Sequence, residues 1–143
     1  MLFIGLNPST ANELQDDPTI RRLCGFAESW GYGGLYACNL FSLITPNPKD
    51  LLVDAGNHRA NTPAIQMALG LVVLTVCGWG DGINSVEQGY SRAERVCELM
   101  NSPRCFGLTQ KGNPRHPLYL SGDTKLVEFN HSRQNEGGSK CHS

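Results

Sequence analysis

Amide, imidazole and basic side chains follow the apolar stretches of this chain, and these groups can hold a polar ligand. Amides donate and accept hydrogen bonds, imidazole can donate to a developing negative charge, and lysine or arginine pairs with an anion. In chain order they are Asn7-Pro8-Ser9, then Asn39 with Phe41, then Gly78-Trp79-Gly80-Asp81, then Lys111, Arg115 and His116. One such cluster is typical of an ordinary turn. Four clusters after four apolar stretches predict a binding or catalytic site.

The elements that must position these residues follow from hydrophobic spacing. Apolar stretches at 2–6, 35–43, 71–78 and 104–108 predict four strands, and the second and third are apolar enough to predict burial on both faces. Helical spacing predicts three helices. The first helix has Asp17 as N-cap and Pro18 at its start, and its apolar stripe consists of Ile20, Leu23, Cys24 and Ala27. The second spans 57–69 and is interrupted at Pro63. The third has Ser85 as its cap, and its apolar stripe consists of Val86, Tyr90, Ala93, Cys97 and Met100.

This alternation predicts an α/β fold, a three-layer α/β/α domain with a four-stranded parallel sheet, over residues 1–129. The composition after residue 130 is polar and rich in Gly, Ser and Asn, so we expect residues 130–143 to form a flexible tail. Ligands of such folds bind beyond the carboxyl ends of the strands. We therefore expect the polar clusters to meet at that edge.

Residues 104–120 form a local basic segment. They include Arg104, Lys111, Arg115 and His116 and no acidic residue, in a chain of net charge −1. Such a segment can meet a phosphate or a leaving anion. The alternative is a solvated loop, which the charge count does not exclude.

Several classes of function are disfavoured by the sequence. The string GWGDGINS lacks the third glycine of a dinucleotide loop and the lysine of an ATP-binding loop, so we expect no nucleotide cofactor. Six cysteines without a Cys-x-x-Cys pair indicate free thiols rather than disulfides or a metal centre. With no run of eighteen apolar residues and no signal peptide, the chain is expected to be cytoplasmic and away from the membrane, plausibly as a monomer.

The order of the strings LNPSTA, DDPTIRR, WGYGGL and PRHPLYL resembles a bacterial and phage family of unknown function over about residues 2–129. The strings FIGLNPST, CNLF and RHP also resemble the uracil-DNA glycosylase superfamily, more weakly. This second resemblance implies a glycosylase-like fold and hydrolysis of an N-glycosidic bond to a nucleobase, in a nucleotide or a modified nucleic acid.

The same resemblance implies a role for each candidate residue. Gly5, Asn7 and Pro8 match the family's Gly-x-Asn-Pro corner, in which the residue at Asn7 positions the attacking water, and we expect Gly5, Pro8 and Ser9 to contact the substrate. Asn39 matches the residue that reads the base, and His116 matches the residue that stabilises the departing base. Phe41 or Trp79 would stack on the base, and Lys111 or Arg115 would hold phosphate. Two departures stand out: Leu118 replaces a phosphate-gripping serine, and Asn7 can orient water but cannot act as a general base.

Two hypotheses therefore remain open from the sequence. The first is an enzyme that cleaves an N-glycosidic bond. The second is a non-catalytic binder on the same fold, which recognises a nucleotide, DNA or a protein in phage–host conflict. The amide at Asn7 favours the second, and the net charge of −1 favours a small ligand over long DNA.

Overall fold

The computed structural model describes residues 1–6, 18–41, 58–86, 89–118 and 120–131. These residues form α1 (Pro18–Ser29), α2 (His58–Leu69), α3 (Gly89–Glu98) and a short 3-10 helix (Asp81–Ser85). The strands are β1 (Leu2–Gly5), β2 (Tyr36–Asn39), β3 (Thr75–Cys77), β4 (Arg104–Cys105) and β5 (Val127–Glu128). They form one sheet in the order β2-β1-β3-β4-β5, in which β1 to β4 are parallel and β5 is antiparallel.

The expected mixed α/β architecture with a mainly parallel sheet is confirmed, but the expected number of strands is wrong. The fifth strand pairs with β4 through Arg104 opposite Glu128 and Cys105 opposite Val127. Both β5 side chains are exposed. A two-residue strand without a buried face has no hydrophobic period for sequence analysis to detect, and only its pairing with β4 defines it.

Two cores lie on the two faces of the sheet, because successive side chains of a strand point to opposite faces. Leu2 and Ile4 of β1 pack in the larger core with residues of α2 and α3, including Ile65 and Val96. The smaller core, on the other face, contains Phe3 of β1 and side chains of α1. The described residues thus form helix, sheet and helix layers.

The second strand is exposed where the sequence predicted burial on both faces. In β2, Tyr36 and Ala37 are exposed and Cys38 and Asn39 are half-buried. The cause is topological, because among the described strands β2 lies at the edge of the sheet and pairs with β1 alone. The side chains of β2 therefore have a neighbouring described strand on one side only, which leaves them less buried than those of a central strand.

The helices differ from the predicted ones in detail. Pro63 is the sixth residue of α2 and does not end the helix. Because proline lacks an N–H, the helix loses one backbone hydrogen bond near its start. Ser85 ends the 3-10 helix, and α3 begins at Gly89 and buries Gly89, Arg92, Ala93 and Val96. The predicted cap Ser85 is therefore wrong, because the helix begins four residues later. The predicted stripe is largely confirmed: Val86, Ala93 and Met100 are buried and Cys97 packs against the core, whereas Tyr90 is exposed. The predicted cap Asp17 lies outside the described residues.

Helix α1 buries Leu23, Phe26 and Ala27, whereas Cys24 is exposed and Ile20 is 36% exposed. Phe26 stacks on Trp30 and packs against Phe106, which draws this side of the helix toward the sheet. Of the expected tail, Asn130 and His131 are described, and His131 is buried. No helix in the described ranges has the length and apolar character that crossing a membrane requires.

Candidate functional site at the carboxyl edge of the sheet

Gly5 and Asn39 face each other at the carboxyl ends of β1 and β2. They are register partners in the parallel pair. A β-carbon built on Gly5 would lie 2.9 Å from Oδ1 of Asn39 and 3.2 Å from Cε1 of Phe3. The amide of Asn39 therefore lies across the backbone of Gly5, in space that only glycine leaves open. Asn39 also makes interactions beyond this contact.

The segment around Arg115 closes over the next strand on the same face of the sheet. A β-carbon on Gly78, directly after β3, would lie 2.5 Å from Cε2 of Phe3 and 3.2 Å from the carbonyl oxygen of Arg115. The ring of Phe3 thus lies between Gly5 and Gly78. Because it borders both glycines, Asn39 and the Arg115 backbone lie along one face of the carboxyl edge.

His116 packs on Gly80, two residues further along the chain from Gly78. The backbone N–H of Gly80 donates to the carbonyl of Pro114 at 2.9 Å, and a β-carbon on Gly80 would lie 3.5 Å from Cβ of His116. Gly80 has φ 69° and ψ −167°, a conformation that is strained for any side chain larger than hydrogen. This glycine allows the segment 114–116 to approach the end of β3.

The tautomer of the neutral His116 imidazole is set by a local hydrogen bond. The backbone N–H of Leu118 donates to Nδ1 of His116 at 3.2 Å. An Nδ1 that accepts a hydrogen bond carries no proton, so in the neutral ring the proton is on Nε2. His116 is exposed and makes a further interaction. Its Nε2–H is therefore a donor at the carboxyl edge of the sheet.

A polar network fixes the loop that carries His116. The Thr109 hydroxyl donates to Oδ1 of Asp81 at 2.6 Å, and Nδ2 of Asn113 donates to the same oxygen at 2.8 Å. These two hydrogen bonds lower the pKa of the exposed Asp81, with a smaller contribution from Lys111. Asn113 is only 2% exposed. The loop is thus attached to the residues that follow β3.

The network extends to α3 through Tyr90. The Tyr90 hydroxyl donates to Oδ1 of Asn84 at 2.6 Å, and Oδ1 of Asn113 is 3.3 Å from the same hydroxyl. A backbone turn supports the arrangement, since Thr109 N–H donates to the Asn113 carbonyl at 2.8 Å. The loop conformation is therefore determined by side chains from three parts of the chain.

Arg92 of α3 reaches the strand end beside Asn39. Its Nε donates to the carbonyl of Leu40 at 2.8 Å and its Nη1 to Oγ1 of Thr62 at 2.9 Å. Arg92 is 6% exposed, and burial lowers its pKa, with a smaller effect from Arg95. This side chain joins α3, α2 and the end of β2 and so fixes the residue that follows Asn39.

The basic residues of segment 104–120 are separated in the fold. Lys111 and Arg115 are exposed in the loop that carries His116, and the Arg115 stem passes over Gly107. Arg104 lies instead in β4, opposite Glu128 of β5. Arg115 is therefore the cation next to His116 in the chain, and Lys111 lies close enough to Asp81 to influence it.

The two aromatic candidates for stacking, Phe41 and Trp79, lie in the core. They are 2% and 3% exposed and belong to the larger core, on the face opposite Phe3. Trp79 alternates with Gly78 and Gly80 and so points to the other face, where its ring packs edge-on against Phe129. In this conformation neither ring has a face open for stacking.

Asn7, Pro8 and Ser9 lie outside the described residues, so their predicted positions stay predictions. Within the described ranges, no three His, Cys, Asp or Glu side chains come together as metal ligands would. Of the predicted site residues, Gly5, Asn39, Lys111, Arg115 and His116 lie at or beside the carboxyl edge.

Sequence analysis missed the residues that support this edge. Asn113 has no sequence signal beyond its place in a polar segment, although it is almost completely buried. Arg92 is one position from the predicted apolar stripe of the third helix, and a buried arginine gives no hydrophobic signal. The sequence predicts Asp81 as part of a polar cluster, and its role as a hydrogen-bond acceptor for the loop is evident only in the structure.

Comparison with known proteins identifies one family. Searches among curated proteins and among solved structures found no match for this chain. The family described as "Protein of unknown function (DUF1643)" matches residues 1–118, which include every described residue of the candidate edge. This confirms the expected membership of a family of unknown function: the chain belongs to the DUF1643 family.

Proposed function

We propose that this protein hydrolyses an N-glycosidic bond to a nucleobase, in a nucleotide or a modified nucleic acid, in the manner of the uracil-DNA glycosylases it resembles. The observation that carries the proposal is the Nδ1 contact of His116 with the Leu118 N–H, which places the proton of the neutral ring on Nε2. A hydrogen-bond donor on Nε2 can stabilise the negative charge that develops on a departing base.

In the proposed reaction, water attacks the sugar carbon as its bond to the base nitrogen breaks. The electron pair leaves with the base, and the Nε2–H of His116 donates a hydrogen bond to a base oxygen on which charge accumulates. The proton that the attacking water loses passes through solvent to the base anion, so the products are the sugar hydroxyl and the neutral base. Asn7 would orient the water, as the resemblance implies. The amide of Asn39 would read the base edge, and Lys111 or Arg115 would pair with a phosphate.

The experiment measures free base released from nucleosides, nucleotides, uracil-containing DNA and modified DNA. For the substrate that reacts, we expect His116→Phe to lower kcat by about 100-fold or more, as loss of an oxyanion donor does. Asn39→Ala should weaken discrimination between bases. The control is Asn101→Ala, an exposed asparagine between α3 and β4. Release of no base by the folded protein would refute hydrolysis.

A second candidate function, a non-catalytic binder, is favoured by the amide at position 7, since an amide cannot take a proton from water. Two outcomes separate the candidates. Turnover that disappears in Asn7→Ala while ligand affinity remains would support the enzyme. Binding of a nucleotide or DNA without any base release would support the binder.

A further inference from the structure

Three of the described cysteines lie together in the larger core. Cys77 and Cys105 are register partners on β3 and β4, and both are fully buried. Cys97 packs against the same core from α3 and is only partly buried. The side chains of register partners on neighbouring parallel strands point to the same face of a sheet. The three thiols therefore lie between the sheet and α3.

The thiol of Cys77 points toward α3. It donates to Sδ of Met100 at 3.9 Å, and it is in hydrogen-bond contact with the thiol of Cys97. The backbone N–H of Met100 donates to the carbonyl of Cys97 at 3.1 Å, so a single turn of backbone holds both of these side chains against Cys77. The sulfurs of Cys77 and Cys97 are therefore close enough to react with each other.

An oxidant from solvent reaches Cys97 before it reaches the two buried thiols. Cys97 lines a cavity of about 260 Å³ at the end of α3, whereas Cys77 and Cys105 are 0% exposed. Burial raises the pKa of Cys77 well above its usual value, with a further contribution from Cys97, and burial also raises the pKa of Cys105. Because the thiolate is the form that attacks a peroxide, the two buried thiols are protected from direct oxidation.

We propose that a hydroperoxide oxidises Cys97 and that Cys77 then forms a disulfide with it. With hydrogen peroxide, the sulfur of Cys97 attacks one oxygen, the O–O bond breaks, and the departing hydroxide takes the thiol proton and becomes water. The sulfur of Cys77 then attacks the resulting sulfenic acid, and the S–O bond breaks as the second water leaves with the proton of Cys77. The two thiols lose two electrons, which the peroxide accepts. Contact between the sulfurs makes the second step intramolecular, which offsets the low thiolate fraction of Cys77.

The disulfide restrains one side of the candidate edge. It encloses residues 78–96, which include Gly80, on which the segment 114–116 packs, and Asp81, which fixes the loop that carries His116. A covalent link between the two ends of this segment limits the separation of α3 from β3. Oxidation therefore stabilises the residues that hold the loop, whatever reaction that edge carries out.

The first test is oxidation of the wild-type protein with hydrogen peroxide, followed by blocking with N-ethylmaleimide and tryptic mapping without reduction. Trypsin places Cys77, Cys97 and Cys105 in separate peptides, which are residues 60–92, 96–104 and 105–111. We expect a disulfide between the first two peptides, and dithiothreitol should reverse it. A Cys97 that stays reduced would overturn the proposal, as would a bridge from Cys97 to any other cysteine or a sulfinic acid at Cys97 beside a free Cys77.

Variants separate the two chemical steps. In Cys77→Ala the sulfenic acid of Cys97 has no partner, so dimedone should label Cys97 about tenfold more than in the wild type. Cys97→Ser, which changes a partly exposed residue, should leave Cys77 reduced. The matched control is Cys24→Ser, an exposed cysteine of α1, in which the bridge should form as in the wild type. Loss of the bridge in this control would overturn the proposal, because oxidation would then pass through Cys24.

A third measurement tests the restraint. Because a disulfide limits the unfolded chain, the oxidised wild type should have a Tm higher by about 5 °C, and reduction should restore the original value. Cys97→Ser should show no such rise after the same treatment. An unchanged Tm in protein that carries the mapped bridge would contradict the restraint. None of these readouts involves base release, so they do not depend on the proposed hydrolysis.

Discussion

Oδ1 of Asn39 lies 2.9 Å from the point at which a β-carbon of Gly5 would stand. The two residues are register partners at the ends of β2 and β1, so neither can move without disturbing the sheet. The amide of Asn39 is thus held against a neighbouring strand rather than on a free loop. Side chains supported in this way keep a defined geometry for recognition.

Gly5→Ala should displace this amide. The new methyl group meets Asn39 at 2.9 Å and Phe3 at 3.2 Å, so one side chain must move. We expect a loss of about 1–3 kcal/mol in the free energy of unfolding, as for overpacked cores, together with weaker ligand binding. Chemical denaturation measures the first effect. Gly25→Ala is the control: its β-carbon meets nothing within 4 Å in α1, and it should stabilise the protein slightly.

Arg92→Ala should be among the most destabilising single substitutions. It removes the donor to the Leu40 carbonyl and leaves a void beside Thr62. We expect a loss of about 2–4 kcal/mol, measured by urea denaturation. Arg95→Ala, on the exposed side of α3, should change stability by less than about 0.5 kcal/mol. Equal effects of the two variants would contradict the role assigned to Arg92.

The hydrogen bonds of Asp81 predict a pH dependence of stability. Because Thr109 and Asn113 lower its pKa, Asp81 contributes stability above about pH 4, and that contribution is lost as the pH falls through the lowered pKa. Asp81 is exposed, so solvent screening limits the contribution to about 1 kcal/mol or less. Thermal denaturation from neutral to acidic pH should show a smaller acid-induced decrease for Asp81→Asn than for the wild type. An acid-induced decrease of the same size in Asp81→Asn and in the wild type would contradict this assignment.

The neutral imidazole of His116 should carry its proton on Nε2. The N–H of Leu118 occupies Nδ1 as a donor, so the other tautomer would lose this hydrogen bond. Nitrogen-15 shifts of the ring, recorded at about pH 8.5, where a histidine is normally neutral, distinguish the two forms. A predominant Nδ1–H tautomer would remove the observation on which the proposed hydrolysis rests.

The described cysteines should differ strongly in reactivity. Cys24 is exposed, whereas Cys77 is buried and its pKa is raised well above the usual value by burial, with a contribution from Cys97. Burial also raises the pKa of Cys105. Because the thiolate is the reactive form, Cys24 should be alkylated before Cys77 and Cys105, which should react at the rate of unfolding. Peptide mapping after brief iodoacetamide treatment measures the order, and modification of the Cys77 or Cys105 peptide before the Cys24 peptide would contradict it.

The sequence by itself determined the α/β class and much of the edge at which polar residues gather. Hydrophobic spacing is a local property, and the strand near residues 2–6 and the helices near 18–30 and 57–69 were recognisable from it. The position of Asn39 at the end of β2 followed from the rule that parallel strands share one carboxyl edge. His116 lies eleven residues after β4, and only the fold brings it to the end of β3. Family membership followed from short strings in a fixed order.

Only the tertiary structure decided which residues support that edge. Strand β5, the burial of Asn113 and Arg92, and the inward orientation of Trp79 all depend on which elements become neighbours in space. Local sequence does not encode such long-range pairing, because a polar residue in a loop looks the same whether water or another strand covers it. The hydrogen bonds between Asp81, Thr109 and Asn113 exist because the fold brings residues about thirty positions apart together.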